Sequence, residues 1–428
     1  MKRLLIISPY FPPTNAADMQ RVRMSLPYFT EFNWQVEVVT VDERYSDLVK
    51  DDLLMESLPA GLIVHRVKAL PKGLTSKIGL GSIALRSMWF YRQKVNQLLK
   101  AEKFDLIYFS TTQLPVCVLG AYWRKRFGVP YVIDMQDPWH SEYYQDKPKN
   151  ERPAKYWFSY RLNKYLEPIA MKAVGGIISV SEKYITDLQN RYSILKSVPS
   201  ATITFGALEL DNAVALKHAN NFKSLLNPDY KNLVYIGRGG ADMHKAIMVL
   251  FSAIKSAWES SPDLFKKLKV TFIGTSYAAA GQGIPTIIPV ATQFGMEDIV
   301  VEITDRISFY HTLLTLQQAD ALFLPGSDSQ GYTASKIPPY LLTSKPLLAI
   351  INSNSPAVSV LKDYGVEHIS YFDEAVTAEV STAFFLTQIL QNAIPRPQYD
   401  AIGIAEYSAR NITLKQCRLF DLVINKHI

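Results

Sequence analysis

The chain has few cysteines and no long apolar run. These absences argue against a disulfide-stabilised protein and against a membrane-spanning one. Cys117 and Cys417 are the only cysteines among 428 residues, too few for a disulfide framework, so a reducing, cytoplasmic setting is expected. No segment approaches the roughly 20 apolar residues that span a bilayer. The opening MKRLLIISPYFPP has an apolar run of only about five residues, which indicates a first buried strand and not a signal peptide.

Several catalytic and binding signatures are also missing. No Gly-x-Ser-x-Gly elbow follows a predicted strand, which argues against a serine hydrolase. Neither a dinucleotide fingerprint nor a P-loop is present. The net charge is +7, but no nucleic-acid recognition motif accompanies it, so no nucleic-acid partner is expected.

Short apolar runs alternate with amphipathic segments along most of the chain, and this alternation predicts parallel sheets covered by helices on both faces. A segment rich in proline, glycine and small residues, 197–212, interrupts the pattern. We therefore predict two doubly wound α/β domains, at 1–204 and 205–404. The predicted strands are 3–8, 35–41, 62–67, 105–110, 131–135 and 176–181, then 232–237, 269–274, 299–304, 320–326 and 346–351.

In the second half of the chain, two polar loops follow directly after predicted strands. Doubly wound sheets bind ligands at these carboxyl ends of their strands. In YIGRGGADMHK, Gly237 and Gly239 allow close approach of a ligand to the backbone, and Arg238 and Lys245 could neutralise phosphates. In PGSDSQGYTASK, a helix is expected to begin near Thr333, which places Lys336 in its first turn. A lysine there opposes the helix dipole, and a bound phosphate would explain it. The alternatives are a plain tight turn and a solvated loop.

Two loops in the first half are the corresponding candidates there. SPYFPPTNAADMQR follows the first strand and carries Asn15, Asp18 as a predicted helix N-cap, and Arg21. DMQDPWH follows the strand at 131–135, and Asp134, within the strand, is a candidate structural hydrogen-bond acceptor.

Asp137 lies past the end of that strand and is the better candidate for substrate contact. A metal site is the least favoured interpretation of DMQDPWH, because Pro138 breaks a helical face and no second histidine cluster supports His140.

Residues 66–103 carry nine basic residues against the single acid Glu102, with Met88, Trp89 and Phe90 among them. This composition gives a second hypothesis, that the segment lies on an anionic membrane surface. The alternative is an ordinary helix with a solvated basic face.

Together these motifs resemble the GT-B glycosyltransferases, in particular the retaining family 4 (glycosyl transferases group 1). VPYVIDMQDPW resembles the DxxDPW variant of that family, and ISVSE at 178–182 and YIGR at 235–238 are similar to its interdomain and donor-loop markers. GYTASKIPPYLLTSKPLLAI at 331–350 resembles its donor-binding strand-helix-strand. The order and spacing of the motifs cover essentially the whole chain.

The resemblance implies a GT-B fold, in which two Rossmann-like domains face a central cleft. It also implies that a final helix, in 405–428, packs back on the N-terminal domain. It implies transfer of a sugar from a nucleoside diphosphate sugar to a glycan or lipid-linked acceptor, in cell-surface polysaccharide, lipopolysaccharide or glycolipid synthesis, with no metal and no cofactor. The enzyme would be cytoplasmic or peripheral on the inner face of the plasma membrane. The implied catalytic residues are Asp137, Arg238 and Lys245; the donor-binding residues are Gly237, Gly239, Gly331, Tyr332, Thr333 and Lys336; the acceptor-side residues are Asn15, Asp18, Arg21 and His140.

The sequence departs from the family at one pair of positions. Many members carry two glutamates eight positions apart around the donor loop, and Gly331 and Pro339 stand at those positions here. Pro339 offers no side-chain acceptor to a ribose, so we expect a different mode of ribose recognition. A non-catalytic GT-B subunit that binds a partner glycosyltransferase, and a GT-B sugar-nucleotide epimerase or phosphorylase, remain alternatives because they share the fold.

Overall fold

The computed structural model describes residues 1–140, 142, 145, 148, 152, 156–278, 281–328 and 336–426. The chain forms two compact units. The N-terminal unit comprises Met1–Gly206 and Ala409–Ile428, and the C-terminal unit comprises Ala207–Ser408.

The N-terminal unit is built on a seven-stranded sheet in the order β3-β2-β1-β4-β5-β6-β7, with every neighbouring pair parallel. The order reverses between β1 and β4, so the carboxyl ends of these two strands form its topological switch point. The strands are β1 (Lys2–Ile7), β2 (Trp34–Val41), β3 (Ile63–Val67), β4 (Leu106–Ser110), β5 (Tyr131–Met135), β6 (Gly176–Ser179) and β7 (Ser200–Thr202).

Helices cover both faces of this sheet, and short 3₁₀ turns join several of the elements. The helices are α1 (Gln20–Ser25), α2 (Lys72–Thr75), α3 (Ile83–Ala101), α4 (Val118–Phe127), α5 (Tyr156–Met171), α6 (Glu182–Arg191) and the final helix α16 (Ala409–Asn425). Leu5 and Ile7 of β1 share a buried cluster with Tyr91 of α3. Leu4 and Ile6 share another with Phe420 of α16.

The C-terminal unit contains a six-stranded sheet in the order β10-β9-β8-β11-β12-β13, again parallel throughout. Its order reverses between β8 and β11. The strands are β8 (Lys231–Ile236), β9 (Leu268–Ile273), β10 (Val300–Ile303), β11 (Ala321–Pro325), β12 (Leu347–Ile351) and β13 (Ile369–Tyr371). The helices are α7 (Glu209–Lys217), α8 (His244–Ser260), α9 (Pro262–Phe265), α10 (Ile288–Gln293), α11 (Phe309–Gln318), α12 (Ile337–Leu341), α13 (Ala357–Asp363), α14 (Ala375–Leu390) and α15 (Ala401–Glu406).

The α/β class with two doubly wound parallel sheets is confirmed. Two strands were not predicted. β7 lies inside the segment interpreted as a linker, and β13 lies outside every predicted apolar run. Both are three-residue edge strands, too short to show a hydrophobic period. Within the described residues, no helix has the length and apolar character needed to cross a bilayer.

Candidate functional site

The carboxyl end of β8 in the C-terminal unit holds Lys336. The ammonium donates a hydrogen bond to the Tyr235 hydroxyl at 3.0 Å and lies 4.7 Å from the centre of the same ring. A Cβ atom on Gly237 would lie 1.7 Å from the Lys336 Nζ. The glycine therefore leaves room for the lysine side chain across the end of the strand, a purpose that the sequence analysis did not anticipate.

Packing around the start of α12 fixes the position of Lys336. The Tyr340 hydroxyl accepts a hydrogen bond from the Ile236 N–H at 2.9 Å and donates to the Ile236 carbonyl at 3.2 Å. This contact ties α12 to the last residue of β8. Lys336 is the residue immediately before this helix and not part of its first turn.

Lys336 is an incompletely compensated cation. Desolvation, followed by the positive charges of Arg238 and Arg306, lowers its pKa to about 8. Among the described residues, no carboxylate forms an ion pair with it. An anion that enters this site would gain the attraction of an ammonium group that the protein itself leaves unneutralised.

Arg238 and Lys245 differ from Lys336, because carboxylates already compensate them. The Arg238 guanidinium donates two hydrogen bonds of 2.6 Å to Asp242, and Lys245 lies 3.3 Å from Asp328. The Arg238 guanidinium lowers the pKa of the Asp242 carboxyl. A phosphate that binds either cation must share it with the carboxylate or displace that carboxylate.

Sequence reasoning missed these two carboxylates and also Arg306. Asp242 follows Arg238 by four residues, and this spacing was an available signal of an ion pair. Asp328 lies 83 positions from Lys245. Their contact was visible only after folding, because it joins the end of β11 to the start of α8.

The remaining predicted donor residues divide into two groups. Gly239 is buried against its own unit: an added Cβ would lie 2.7 Å from Thr286 Oγ1 and 2.9 Å from the Thr275 Cβ. Its role is close packing, and its backbone is covered by protein. Gly331, Tyr332 and Thr333 lie outside the described residues.

In the N-terminal unit, Asp134 and Arg21 form a buried ion pair, with 2.7 Å between Arg21 Nε and an Asp134 carboxylate oxygen. The same oxygen accepts a hydrogen bond from Ser110 at 2.8 Å, which confirms Asp134 as a structural acceptor. The Arg21 guanidinium also donates to the Ile203 carbonyl at 2.7 Å and to the Thr204 carbonyl at 3.1 Å. Arg21 is 1% exposed. It therefore joins β5 to the segment after β7 and presents no surface to an acceptor.

Asp18 is not the N-cap of α1. The residue at that position is Met19, and no side chain caps the helix. The Asp18 carboxylate accepts hydrogen bonds from the Thr111 hydroxyl at 2.8 Å and from the Thr112 N–H at 3.0 Å. Burial raises its pKa. Asp18 therefore joins the loop after β1 to the loop after β4, at the point where the strand order of the sheet reverses.

Asp137 lies beside this junction and is exposed. Partial desolvation and then the negative charge of Asp18 raise its pKa, so the two carboxyl groups interact electrostatically. Asn15 is partly buried, and its N–H donates to the Val49 carbonyl at 2.8 Å. Asp137 is therefore the most exposed of these three residues and the most accessible to a substrate.

His140 is packed inside the N-terminal unit. It is 7% exposed, and its ring centre lies 4.8 Å from that of Tyr160. Burial and then the charge of Arg191 lower its pKa. Among the described residues, neither ring nitrogen has a hydrogen-bond partner, and no group of three His, Cys, Asp or Glu side chains is placed to hold a metal ion.

Part of the sequence matches a known protein family. Residues 28–200 match the sequence model of Glycosyltransferase Family 4. No curated protein matches the chain.

Solved structures of similar fold cover nearly all of the chain. HepE from Anabaena, in complex with UDP, has 14% identity and a TM-score of 0.57 over 99% of this chain and 100% of that one. Sucrose-phosphate synthase from Thermosynechococcus elongatus has 12% identity and a TM-score of 0.58 over 100% of both chains. A UDP-forming trehalose-phosphate synthase from Burkholderia vietnamiensis has 12% identity and a TM-score of 0.52 over 100% of this chain and 96% of that one.

At 12–14% identity the structural likenesses establish the fold alone, and the sequence match is confined to residues 28–200 of the 428. Residues 28–200 are thus similar to Glycosyltransferase Family 4, and the chain as a whole has the GT-B fold of these solved structures.

Proposed function

We propose that the chain transfers a sugar from a nucleoside diphosphate sugar to a glycan or lipid-linked acceptor. The observation that carries this proposal is the Lys336 ammonium, held at the switch point of the C-terminal sheet without a carboxylate partner among the described residues. HepE, which shares the fold, was solved with UDP, with UDP and glucose, and with UDP-glucose. A diphosphate is an anion suited to the unbalanced positive charge of Lys336.

The same cations would assist departure of the leaving group. Negative charge develops on the nucleoside diphosphate as the bond between the anomeric carbon and the phosphate oxygen breaks, and positioned cations stabilise that charge. Lys336 and Arg306 are immediately available for this, while Arg238 and Lys245 would exchange Asp242 and Asp328 for phosphate oxygens. On this basis we propose a metal-independent reaction. Retention of anomeric configuration, and a place in cell-surface polysaccharide or glycolipid synthesis, rest on the family resemblance.

A thermal-shift panel tests the donor assignment. The full chain would be heated with UDP-, GDP-, ADP-, dTDP- and CMP-sugars, and with the free nucleotides, in a chelating buffer. A ligand that binds only the folded state raises the apparent melting temperature. We expect one nucleotide class to do so. If no ligand shifts the transition, the donor proposal is wrong and a non-catalytic GT-B subunit becomes the better account.

We also propose that residues 66–103 bring the enzyme to anionic lipid, where a lipid-linked acceptor would be reached. Leu74 is 71% exposed and Trp89 is 58% exposed, as insertion into the interface would require. Some of the basic residues are already engaged: Arg66 pairs with Glu43, and Arg86 donates to backbone carbonyls. Co-sedimentation with vesicles should increase with the anionic lipid fraction, and Trp89→Ser should weaken it. Equal binding to neutral vesicles would contradict this proposal.

A further inference from the structure

A cavity lies at the opposite end of the C-terminal sheet from Lys336. It has a volume of about 580 Å³, within the range of small-molecule sites. Lys231 begins β8, Asp320 precedes β11 and Lys345 precedes β12, so the cavity opens at the amino ends of the strands. Strands of five or six residues separate the two ends by roughly 17–20 Å. A ligand here would not touch the proposed donor site.

The charges that line this cavity do not balance. Lys231, Lys345 and Arg396 are the cations, and Asp320 is the anion. Asp320 is already neutralised, because it accepts hydrogen bonds from the Lys231 ammonium at 3.0 Å and from the Asn232 N–H at 2.9 Å. Among the described residues, neither Lys345 nor Arg396 has an ion-pair partner. Two positive charges are therefore left for a ligand.

Lys345 and Arg396 interact electrostatically. Burial lowers the pKa of Lys345, the carboxylate of Asp320 opposes that effect, and the positive charges of Arg396 and Lys231 add to it. The cations thus repel across a shared space. A dianion placed between Lys345 and Arg396 would replace repulsion by attraction.

The backbone around the cavity includes two left-handed residues and a hydrogen bond between two of its segments. Ser344 has φ +52° and Asn392 has φ +55°, and both line the cavity. Asn392 follows the end of α14, where the Ala393 N–H donates to the Gln388 carbonyl at 2.8 Å, and a left-handed residue is ordinary at such a helix terminus. The Tyr399 hydroxyl donates to the Lys345 carbonyl at 2.6 Å, which ties the segment carrying Arg396 to the turn carrying Lys345. This contact holds together the two backbone segments that carry the cations.

We propose that this cavity binds a phosphate monoester, with Lys345 and Arg396 recognising the phosphate. Leu342, Ile389 and Ile394 line the same cavity and would cover the body of the ligand. A dianionic phosphate matches the two uncompensated charges, and guanidinium and ammonium groups are suited to phosphate oxygens. The site is independent of the donor site and of the proposed transferase reaction.

A structural alternative uses the same residues. Lys345 follows the end of α12, and Arg396 follows the end of α14, and cations are favourable near helix C-termini. If that were their whole purpose, their removal would lower stability without affecting any ligand. The experiment separates these two roles by measuring binding and stability in the same variants.

The test uses inorganic phosphate, glucose 6-phosphate and AMP as probes of the full chain, by calorimetric titration and thermal shift. We expect at least one probe to bind the wild type with a stoichiometry of one. The double variant Lys345→Gln/Arg396→Gln should lose at least tenfold in affinity. Lys255→Gln/Lys362→Gln removes the same charge from α8 and α13, outside the cavity lining, and should bind as the wild type does.

Arg238→Gln identifies the site occupied. Loss of probe binding in that variant, with retention in Lys345→Gln/Arg396→Gln, would mean that the phosphate enters the donor site and would overturn the proposal. Absence of binding by every probe would overturn it as well, and so would equal affinity in the two double variants. Nucleotide-sugar shifts measured on the same proteins report separately on the donor proposal, because Lys345→Gln/Arg396→Gln leaves Lys336 and Arg238 in place.

Discussion

Lys336 carries a positive charge that its surroundings destabilise. Its pKa in the folded chain is about 8, below the ordinary value of about 10.4 for lysine. Between these two values the unfolded chain binds more protons than the folded chain, so this group makes stability rise with pH. Below pH 8 the full penalty of the buried charge remains. The folded protein therefore contains a cation that lowers the stability of the fold. Such a cation is expected at a site where ligand binding requires the charge.

Lys336→Met should accordingly stabilise the protein and impair donor binding. Methionine keeps most of the side-chain volume and removes the charge, so the free energy of unfolding at pH 7 should increase by roughly 1–3 kcal/mol. Loss of a charge-assisted hydrogen bond of about 1.5–3 kcal/mol should weaken the nucleotide sugar by roughly 10- to 100-fold. Urea unfolding and donor titration measure the two effects.

Lys255→Met provides the control for Lys336→Met, because Lys255 is exposed on α8. It should change neither quantity. A Lys336→Met protein that binds its donor normally would remove this lysine from the donor site. Donor affinity in the wild type should also fall as the pH rises through about 8, because the ammonium loses its proton there.

Asp137→Asn should leave the fold intact and reduce turnover. The side chain is exposed, so its replacement should cost little stability. If the carboxylate acts on the reacting sugar, as proposed, its loss should slow the reaction by about 100-fold or more. The raised pKa of Asp137 predicts that the wild-type rate falls as the pH drops through that value. Release of nucleoside diphosphate from the donor, with water as acceptor, gives a rate before the natural acceptor is known. Normal release by Asp137→Asn would refute the assignment.

The turn after β8 is the element that assembles the proposed donor site. It carries Gly237, Arg238 and Gly239 between a buried strand and the start of α8. Gly237 admits the lysine from the loop before α12, and Gly239 packs on Thr275 and Thr286. The two glycines thus serve different neighbours, which a Gly-rich sequence pattern does not distinguish.

Gly237→Ala should displace the Lys336 ammonium. The new methyl group would lie 1.7 Å from Nζ and 2.6 Å from the Tyr235 hydroxyl, so the flexible end of the lysine must move. We expect donor affinity to fall about tenfold, equivalent to about 1.4 kcal/mol, with a smaller loss of stability. Gly73→Ala is a control because no atom lies within 4 Å of the added Cβ. Unchanged donor titration in Gly237→Ala would show that the position of the ammonium is unimportant.

The N-terminal unit depends on the last helix of the chain. Phe420 of α16 is fully buried, and its ring centre lies 4.9 Å from that of Tyr108 and 5.7 Å from that of Trp34. Lys2 and Asp421 form an ion pair between the first strand and this helix. Residues separated by almost the whole length of the chain therefore share one hydrophobic core.

Phe420→Ala should destabilise the N-terminal unit by about 3–5 kcal/mol, because it leaves a cavity among aromatic rings. Hydrogen exchange should accelerate in β1 and β4 and remain unchanged in β8 and β11. Leu422→Ala is the matched control, since that side chain is 57% exposed on the same helix and its loss should cost little. Equal acceleration in both units would show that they unfold together.

The sequence predicted the fold more fully than it predicted the candidate site. Buried strands such as Tyr131–Met135 were predicted with correct bounds because their apolar runs are local signals. The short edge strands β7 and β13 were missed because three residues carry no period. Asp18 was assigned a local capping role, yet its partner Thr111 lies 93 residues away. Arg21 was expected at an acceptor surface, yet Asp134 holds it in the interior.

The sequence by itself determined the alternation of strands and helices, the doubly wound α/β class and the resemblance to GT-B glycosyltransferases, because these depend on local periodicity and on the order of motifs. The tertiary structure alone decided which charged side chains are compensated. Arg238, Lys245 and Arg21 meet carboxylates, whereas Lys336 meets Tyr235. The physical reason is that compensation depends on distance and desolvation between groups far apart in the chain, and both quantities exist only after the strands and helices have packed.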